Sequence, residues 1–386
     1  MRPISVYLDH NATTPPDPAV VEAMMPYLRE AFGNPSSVAH RHGREAREAV
    51  EGARAEVAHL LGADPAEIVF TSCATESNNL ALKGSVWALR ERGDKLLVSA
   101  IEHKSVLEPA RWLAGEGFRV EWIGVDGDGR VDPLEVARAI DDRTVLVSVM
   151  HANSEVGTIE PVEAIGEICR ERGVRFHVDA TQTAGKLPVD VRAIACDLLS
   201  LSAHKIYGPK GVGALFVRRR QRLVPLLSGG GQERDRRSGT LNVAGIVGLG
   251  TACRLARSRM VEDAARALGL RQRLTDGLLA RVPGIHVNGP LDGRLAGNLN
   301  VSFDDIDGQA LIQAVPEVSL SSGSACAAGS TEPSYVLRAM GMSPERAFGS
   351  VRFGIGRGNR KDDIDLCIDA IARAAERLRK VSTRVP

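Results

Sequence analysis

Short apolar runs alternate with helical stretches through the first two-thirds of this chain, and this alternation limits the folds open to it. Each run is rich in β-branched residues and is followed by a stretch with helical spacing. Alternation of this kind favours an α/β fold with a largely parallel sheet and helices on both faces. The predicted strands are Glu67–Thr71, Lys95–Ser99, Phe118–Ile123, Thr144–Met150, Val174–Val178, Leu198–Ser202 and Gly213–Val217. The predicted helices cover about residues 75–91, 104–116, 132–140 and 161–172.

The pattern changes after about residue 240. A long stretch rich in Ala, Leu and Arg runs to about residue 281, and Pro283 ends it. The strands that follow are fewer, which indicates a smaller α+β domain joined through a helix. We therefore expect a large domain over 16–255 and a small domain formed by 1–15 and 256–386. Its predicted elements are strands Ile285–Val287, Asn298–Phe303 and Val351–Ile355, with helices near 307–315, 333–340 and 361–379.

The composition excludes several classes of function. The 386 residues carry a net charge of +1, so no global charge favours direct binding to nucleic acid or to a membrane surface. Asp9 lies where a signal peptide would need an apolar core. A membrane span needs about 20 apolar residues in succession, and no apolar run in the sequence is that long. We therefore expect a cytoplasmic protein.

The six cysteines show neither a metal-binding nor a disulfide pattern. No two form Cys-x-x-Cys and no histidine cluster joins them, so we expect no metal site. Their spacing does not match a disulfide framework, which favours a reducing compartment. Four fall within helical or strand patterns and are expected in the core: Cys169, Cys196, Cys253 and Cys367.

Asp179 and Lys205 each end an apolar strand, where a charge is costly unless a partner meets it. Desolvation would lower the pKa of Lys205 and make its amine nucleophilic. The alternatives are a helix N-cap for Asp179 and a surface turn for Lys205. Pyridoxal phosphate (PLP) needs both groups, because it bonds to a lysine amine and takes an acid opposite its ring nitrogen.

Candidate donors for a phosphate also follow apolar strands. Ala74 and Thr75 open a helix after a strand, and small residues there let backbone N–H groups approach an anion. The same pattern is typical of an ordinary helix N-cap. Ser202 and His204 flank Lys205 and could add two donors. No Gly-x-Gly-x-x-Gly follows a strand, which disfavours a dinucleotide or a nucleoside triphosphate.

Three further residues are chemically notable. His103 follows a strand, where an imidazole can stack on a ring and move protons, although a structural role is equally open. Arg352 lies in a predicted strand and could clamp a carboxylate or form a structural ion pair. Cys326 lies in a run of Gly, Ser and Ala, with little bulk around it to bury a thiol.

The motifs taken together resemble those of cysteine desulfurases of the class V aminotransferase fold, in the branch of the bacterial iron–sulfur and nitrogen-fixation type. They cover nearly the whole chain in family order. The matching segments are Tyr7–Thr14, Phe32–Ser36, Phe70–Ser77, Glu102–Lys104, His177–Gln182, Ser202–Gly211, Gly229–Arg234, Arg237–Thr240 and Ser321–Cys326. The resemblance implies a PLP-dependent aminotransferase-like architecture of fold type I, whose small C-terminal domain carries the cysteine segment.

The resemblance implies roles at the matching positions. Lys205 would bond to PLP, Asp179 would pair with the ring nitrogen, and His103 would stack on the ring and take part in proton transfer. Gln182 would bond the ring hydroxyl. The phosphate would be held by Ala74, Thr75, Ser202 and His204.

The resemblance also implies partners. Thr240 would reach the phosphate bound by a second subunit, which implies a homodimer with shared active sites. Arg352, with Asn34 nearby, would bind the carboxylate of L-cysteine. Cys326 would take the sulfur as a persulfide while L-alanine leaves, and an acceptor protein would then receive it. Iron–sulfur cluster assembly, tRNA thiolation and DNA phosphorothioation are all open as destinations.

One departure from the family pattern concerns the ring hydroxyl. By its spacing to Asp179, the asparagine expected there falls on Ser154, whose side chain is shorter. Either the neighbouring Asn153 takes its place or a water fills the gap.

Two other functions compete with a cysteine desulfurase. A selenocysteine lyase or another class V PLP enzyme would not require Cys326. A non-catalytic sulfur-assembly scaffold would not require the set of Lys205, Asp179, His103 and Cys326.

Overall fold

The central sheet has seven strands, and a computed structural model describes it together with the rest of residues 5–322 and 332–382. The strands of the chain are β1 Val6–Tyr7, β2 Ile68–Thr71, β3 Lys95–Ser99, β4 Arg119–Ile123, β5 Thr144–Ser148, β6 Arg175–Asp179, β7 Leu198–Ser202, β8 Gly213–Val217, β9 Ile285–Val287, β10 Asn298–Phe303, β11 Val318–Ser319 and β12 Ser350–Gly354. The helices are α1 Pro18–Arg29, α2 Arg41–Leu61, α3 Ala74–Leu89, α4 Lys104–Gly115, α5 Pro133–Ala139, α6 Val162–Arg172, α7 Val243–Arg281, α8 Gly308–Gln313, α9 Tyr335–Ala339, α10 Pro344–Phe348 and α11 Lys361–Ser382.

The seven-stranded sheet runs in the order β2-β8-β7-β6-β5-β3-β4. Strand β8 is antiparallel to both of its neighbours, and every other adjacent pair is parallel. The prediction of an α/β fold with a largely parallel sheet is therefore confirmed. The reversal of β8 has a simple cause, because only the short stretch 203–212 joins it to β7, and a parallel return needs a longer crossover.

Helices cover both faces of this sheet, so its inner strands are buried on both sides. One face packs against α2, α6 and the first part of α7, through Val57, Ile165 and Leu249. The other face packs against α3 and α4, through Leu80 and Val106. Two-sided burial explains why these strands are continuous apolar runs in the sequence.

A second, antiparallel sheet of order β12-β10-β9 has its own apolar cluster. The last part of α7 packs there through Leu274 and Leu278, together with Ile368 of α11. Strand β1 also joins this part of the structure, because it pairs in parallel with β11 and Leu8 lies in the same cluster. The proposed domain limits, 16–255 against 1–15 with 256–386, stay a prediction.

Several elements were not predicted from the sequence, namely α1, α2, α10, β1 and β11. Helix α2 buries Val50 and Val57 but carries many charged residues between them, which hides its apolar face. Of the helices in the part of the chain that the structure describes, none combines the length and apolar character that crossing a bilayer demands.

Four cysteines are buried, as predicted from their position in strand and helix patterns: Cys169, Cys196, Cys253 and Cys367. Burial raises the pKa of the Cys169 and Cys367 thiols to about 12. Because the thiolate is the reactive form, these buried thiols are inert near neutral pH.

A buried ion pair ties a surface loop to the sheet. The Nη2 atom of Arg54 lies 2.8 Å from Oε1 of Glu233, and both side chains are almost completely buried. Glu233 also accepts the backbone N–H of Phe70 in β2 at 2.8 Å. Glu233, Arg234 and Asp235 all have positive φ values, a conformation that side chains disfavour. The buried pair therefore holds a strained loop in place.

We expect Glu233→Gln to lower the free energy of unfolding by about 3 kcal/mol, because Arg54 would lose its buried counter-charge and keep only the half-exposed Glu51 as an ionic partner. Chemical denaturation followed by circular dichroism would measure the change. The matched control is Glu45→Gln, which breaks the exposed pair with Arg41 and should leave stability nearly unchanged. Equal, small effects of the two substitutions would contradict this account of the loop.

Candidate active site

An open pocket of about 1000 Å³ lies at the carboxyl ends of the parallel strands. Ligands usually bind at this edge of a parallel sheet, because the loops beyond the strands converge there. Ten residues predicted from the sequence line this one pocket: Ala74, Thr75, His103, Ser154, Asp179, Gln182, Ser202, His204, Lys205 and Arg352. The pocket is also lined by Asn11, Ala12, Cys73, Ser105, Met150, Ala152 and Thr181.

Asp179 ends strand β6 as predicted and is buried. Its Oδ1 atom accepts the backbone N–H of Thr181 at 2.9 Å and closes the turn after β6; no helix begins between β6 and β7, so the alternative of a helix N-cap is wrong. Its Oδ2 atom accepts from the side-chain amide of Asn78 at 2.7 Å. Asn78 lies on α3 and was not predicted as a site residue. One carboxylate therefore both closes its own turn and lines the pocket wall in a fixed position.

Lys205 does not end a strand, contrary to the prediction. Strand β7 ends at Ser202, and Lys205 is the last residue of a 3₁₀ turn that follows it. The turn bends the chain back toward the pocket. Nζ of Lys205 donates to the carbonyl oxygens of Asn11 at 2.6 Å and Ala12 at 2.7 Å. The amine is therefore held inside the pocket by backbone oxygens of the N-terminal segment.

This N-terminal segment, residues 9–14, crosses the pocket and touches many of its residues. Besides Lys205, its Asn11 carbonyl accepts from Nε2 of Gln182 at 2.9 Å. Thr13 Oγ1 lies 3.1 Å from Nδ1 of His204. None of these roles is predictable from the sequence motif, because the contacts join positions far apart in the chain.

The region predicted to hold a phosphate has unused donors. Ala74 and Thr75 form the first turn of α3, whose N-terminus has no side-chain cap. Oγ of Ser202 is buried and has no hydrogen-bond partner among the residues that the structure describes. Burial, with the charges of Lys205 and other lysines, lowers the pKa of His204 to about 4, so this imidazole is neutral. A helix N-terminus and an orphaned hydroxyl fit an anion such as phosphate.

His103 caps helix α4. Its Nδ1 atom accepts the backbone N–H of Ser105 at 3.1 Å and lies 2.8 Å from Oγ of Ser105. Accepting at Nδ1 places the proton of the neutral ring on Nε2. His103 therefore both caps helix α4 and lines the pocket.

Arg352 is buried in β12 and forms the ion pair that was considered as an alternative. Its Nη2 atom lies 2.8 Å from Oδ1 of Asp9, and Nη1 donates to the carbonyl oxygen of Ser154 at 3.3 Å. Its Nε atom is buried without a partner among residues 5–322 and 332–382. Asp9 holds the guanidinium in place, while the same residue lines the pocket.

Three predicted residues do not line the pocket of this chain. Asn153 is buried, and its amide is used to hold its own loop: it donates to the Ile101 carbonyl and accepts the N–H of Glu155. Asn34 and Thr240 are exposed. Of the two neighbours weighed for the ring hydroxyl, Ser154 is the one at the pocket.

Cys326 lies outside the described residues, but the described chain on either side of it bonds to the backbone of a pocket residue or of its neighbour. The carbonyl oxygen of Ser321 accepts the backbone N–H of Arg352 at 2.7 Å. On the other side, the Tyr335 hydroxyl donates to the carbonyl oxygen of Glu102 at 2.6 Å, next to His103.

Buried carboxyl groups lie beneath the pocket and were not predicted from the sequence. Burial raises the pKa of Glu102 well above its ordinary value, and the negative charge of Asp179 adds to the effect. Burial likewise raises the pKa of Glu155 to about 7 and of Glu160 to about 8. The raised pKa values favour the protonated forms of these acids, and for Glu102 this limits the negative charge beside Asp179.

Within residues 5–322 and 332–382, no cluster of His, Cys, Asp and Glu side chains could hold a metal ion. The pocket instead offers an amine, a carboxylate, a guanidinium and donors for an anion. Such a set suits an organic cofactor with a phosphate and an amino-acid substrate.

The chain matches the family model described as aminotransferase class-V over residues 6–367. It is 51% identical over 381 residues to the cysteine desulfurase IscS of Anaeromyxobacter sp. (strain Fw109-5), covering 98% of this chain and 94% of that protein. It is 49% identical over 383 residues to the cysteine desulfurase IscS of Photobacterium profundum, covering 98% of this chain and 95% of that protein.

Two solved structures are also similar. A structure described as a NIFS-like protein has a TM-score of 0.91 and 40% sequence identity, and the match covers 96% of this chain and 99% of that one. A structure described as SspA in complex with cysteine has a TM-score of 0.82 and 38% identity, covering 91% and 99%.

We expect Glu160→Gln to change how stability depends on pH. Burial raises the pKa of Glu160 from 4.5 to about 8. The contribution of its protonated carboxyl group to the free energy of unfolding is therefore fully present below pH 4.5 and is lost as the pH rises to 8. Glutamine does not titrate, so the variant keeps this contribution. Its stability relative to that of the natural chain should therefore increase between pH 5 and pH 8. The gain is at most a few kcal/mol, because each pKa unit corresponds to about 1.4 kcal/mol.

Urea unfolding at several pH values would measure this difference. The exposed Glu163 on α6 provides a matched control, and Glu163→Gln should follow the natural chain at every pH. Parallel stability curves for the natural chain and Glu160→Gln would contradict the buried, protonated state of Glu160.

Proposed function

The chain belongs to the class V aminotransferase family, in its cysteine desulfurase branch, and we propose that it converts L-cysteine to L-alanine and transfers the sulfur to Cys326. The observation that carries the proposal is that one pocket holds Lys205, Asp179 and Arg352 together. The similar SspA structure is described as a complex with cysteine, which supports the choice of substrate.

The pocket residues fit PLP as the cofactor. When bound, PLP supplies an aldehyde that bonds to amines and a ring that takes up electrons from the adjacent carbon of the substrate. Lys205 is the amine placed to bond to it, and Asp179 is the acid placed to hold a proton on the ring nitrogen. Ser202 Oγ, Thr75, His204 and the backbone N–H groups at the start of α3, including that of Ala74, are the donors for the phosphate.

The substrate carboxylate belongs at Arg352. A guanidinium can bind a carboxylate with two parallel hydrogen bonds, and the unpaired Nε atom leaves donor capacity beyond the pair with Asp9. We assign Asn34 as a second contact for this carboxylate from the family resemblance alone. It lies outside the pocket lining and is exposed.

Proton transfer falls to Lys205 and His103. Lys205 removes the proton from the α-carbon of cysteine, and the carbonyls of Asn11 and Ala12 hold its ammonium afterwards. His103 has its Nδ1 atom occupied by the Ser105 N–H, so Nε2 is the atom that exchanges protons.

The sulfur then passes to Cys326. Its thiolate attacks the sulfur of cysteine, an S–S bond forms, and the C–S bond breaks with its electron pair left on the carbon side. Protonation on that side yields alanine. Cys326 lies five residues after Ser321, and five residues of chain span at most about 18 Å. The carbonyl oxygen of Ser321 accepts the backbone N–H of Arg352, so the described chain that leads to Cys326 ends beside this pocket residue.

The assembly and the acceptor complete the proposal. A homodimer would bring the exposed Thr240 of one subunit to the phosphate site of the other. Exposed apolar side chains support an interface near this residue, including Val224, Leu226 and Leu227.

A sulfur-acceptor protein receives the sulfur of the persulfide. The described cysteines are free thiols, which fits a reducing cytoplasm.

We expect Cys326→Ser to bind PLP and cysteine but to release alanine and sulfide at a rate at least about a hundredfold lower, because it lacks the nucleophile. Alanine formation and persulfide detection by mass spectrometry would measure this. Cys73→Ser tests the free thiol that lines the pocket and should keep both activities. Loss of persulfide in the Cys73 variant rather than in the Cys326 variant would overturn the assignment.

We expect Lys205→Ala to lose the covalent attachment of PLP. Borohydride reduction followed by peptide mass spectrometry should find the cofactor on residue 205 of the natural chain and find no adduct in the variant. The exposed Lys210 gives a matched control, and Lys210→Ala should keep the adduct. An adduct on another lysine of the natural chain would refute the role of Lys205.

A further inference from the structure

Lys186 is a charged residue of this region that the chemistry above does not use. It follows the Asp179 turn, and its Nζ atom donates to Oε1 of Gln182 at 3.0 Å. The other end of the same amide is also occupied, because Nε2 of Gln182 donates to the Asn11 carbonyl at 2.9 Å. Lys186 thus contacts Gln182 from the side opposite Asn11.

These two contacts determine which way the Gln182 amide points. An amide can rotate by half a turn and exchange its oxygen and nitrogen, and either orientation can suit a neutral neighbour. A protonated lysine is only a donor, so it can hydrogen-bond only to the oxygen end of the amide. A backbone carbonyl accepts only the nitrogen end. Lys186 and Asn11 therefore hold the amide in one orientation, with its NH₂ group on the Asn11 side.

The environment of Lys186 is unusual for a lysine. Burial lowers the pKa of its ammonium to about 7, and the positive charges of Lys205 and Arg352 act in the same direction. In the part of the chain covered by the structure, no carboxylate is among the groups that act on the pKa of Lys186. Placing a lysine beside two other cations without a counter-ion costs stability. Contribution to folding alone does not account for it.

We propose that Lys186 is a positioning residue that fixes the Gln182 amide so that an N–H of this side chain faces the oxygen of the PLP ring hydroxyl. The proposal rests on the proposed function, since it assigns a task to Gln182 toward that cofactor. The NH₂ group has two hydrogens, and the Asn11 carbonyl takes one. The second is left to donate to a ligand in the pocket that Gln182 lines.

The positive charge behind the amide has a second effect. When Lys186 is protonated, its hydrogen bond to the amide oxygen polarises the whole amide, and the amide N–H then binds an anionic oxygen better than a neutral one. The ring hydroxyl of the bound cofactor should therefore be held in its ionised form. An amide released from Lys186 could turn its oxygen toward the ring and would then favour the un-ionised hydroxyl.

The test compares PLP binding by variants of the full-length chain freed of cofactor. Lys186→Met removes the donor but keeps most of the side-chain volume, and Lys186→Arg keeps a positive donor. Gln182→Leu removes the amide, and the double variant Lys186→Met with Gln182→Leu completes a cycle. Lys361→Met, at an exposed position on α11, is the control for loss of a lysine.

Two quantities would be measured: the dissociation constant of PLP, and the fraction of bound cofactor with an ionised ring hydroxyl, read from its absorption bands. Lys186→Met should bind PLP about tenfold or more weakly, as expected for the loss of a charge-assisted hydrogen bond, and should show a smaller ionised fraction. Lys186→Arg should restore both values, and Lys361→Met should match the natural chain. In the Gln182→Leu background, Lys186→Met should have no further effect.

The proposal would be overturned by unchanged affinity and spectrum in Lys186→Met, or by an equal loss with and without Gln182. Lys186→Gln also lacks the charge and serves if the Met variant does not fold. Failure of both variants to fold would overturn the proposal as well, since a residue that orients one amide is dispensable for folding. A natural chain that binds no PLP would refute the proposed function itself, a result distinct from any difference among the variants.

Discussion

The parallel packing of the central sheet is the constraint on which the pocket depends. Six of its seven strands point the same way, so their carboxyl ends meet at one edge. Both faces are covered by helices, and this leaves the strand ends as the place where polar side chains reach solvent without crossing the core. Asp179 and the turn that carries Lys205 stand there for that reason. The short 203–212 connection, which leads into the reversed strand β8, carries His204 and Lys205 into the pocket lining.

A second layer of organisation comes from the N-terminal segment, residues 9–14. It supplies the oxygens that hold Lys205 and the Gln182 amide, and Asp9 pairs with Arg352. Its backbone joins the larger sheet to the smaller one, since the bridge partner of Asp9 is Gly354 in β12. The groups proposed to bind the cofactor and those proposed to bind the substrate are thus aligned by the same few residues.

Much of this was predictable from the sequence, and the exceptions have physical reasons. Apolar strands ending in Asp179 or leading to Lys205 are visible as patterns because strand burial is a local property of the sequence. The sheet topology confirms the fold that these patterns predict, and the family model and the similar proteins confirm the family. Helix α2 was missed because charged residues dilute its apolar face. The contact between Lys205 and Asn11 joins residues 194 positions apart, and no local pattern encodes it.

Neighbouring residues posed a different difficulty. Asn153 and Ser154 differ by one position, yet one amide is locked in its own loop and the other side chain lines the pocket. The direction of the backbone determines which of the two side chains faces the pocket, and the residue types alone do not reveal that direction. The buried acids Glu102, Glu155 and Glu160 were missed for a related reason, since a carboxylate in a sequence is normally a surface residue.

The burial of four cysteines bears on a hazard of sulfur chemistry within a single chain. Sulfur held as a persulfide moves to another thiol only when that thiol is ionised and can be reached. Cys169, Cys196, Cys253 and Cys367 meet neither condition, because the core encloses them and burial raises their pKa values. The core thus insulates these thiols from stray sulfur. Among the described cysteines, Cys73 is the one at which misdirected sulfur could accumulate.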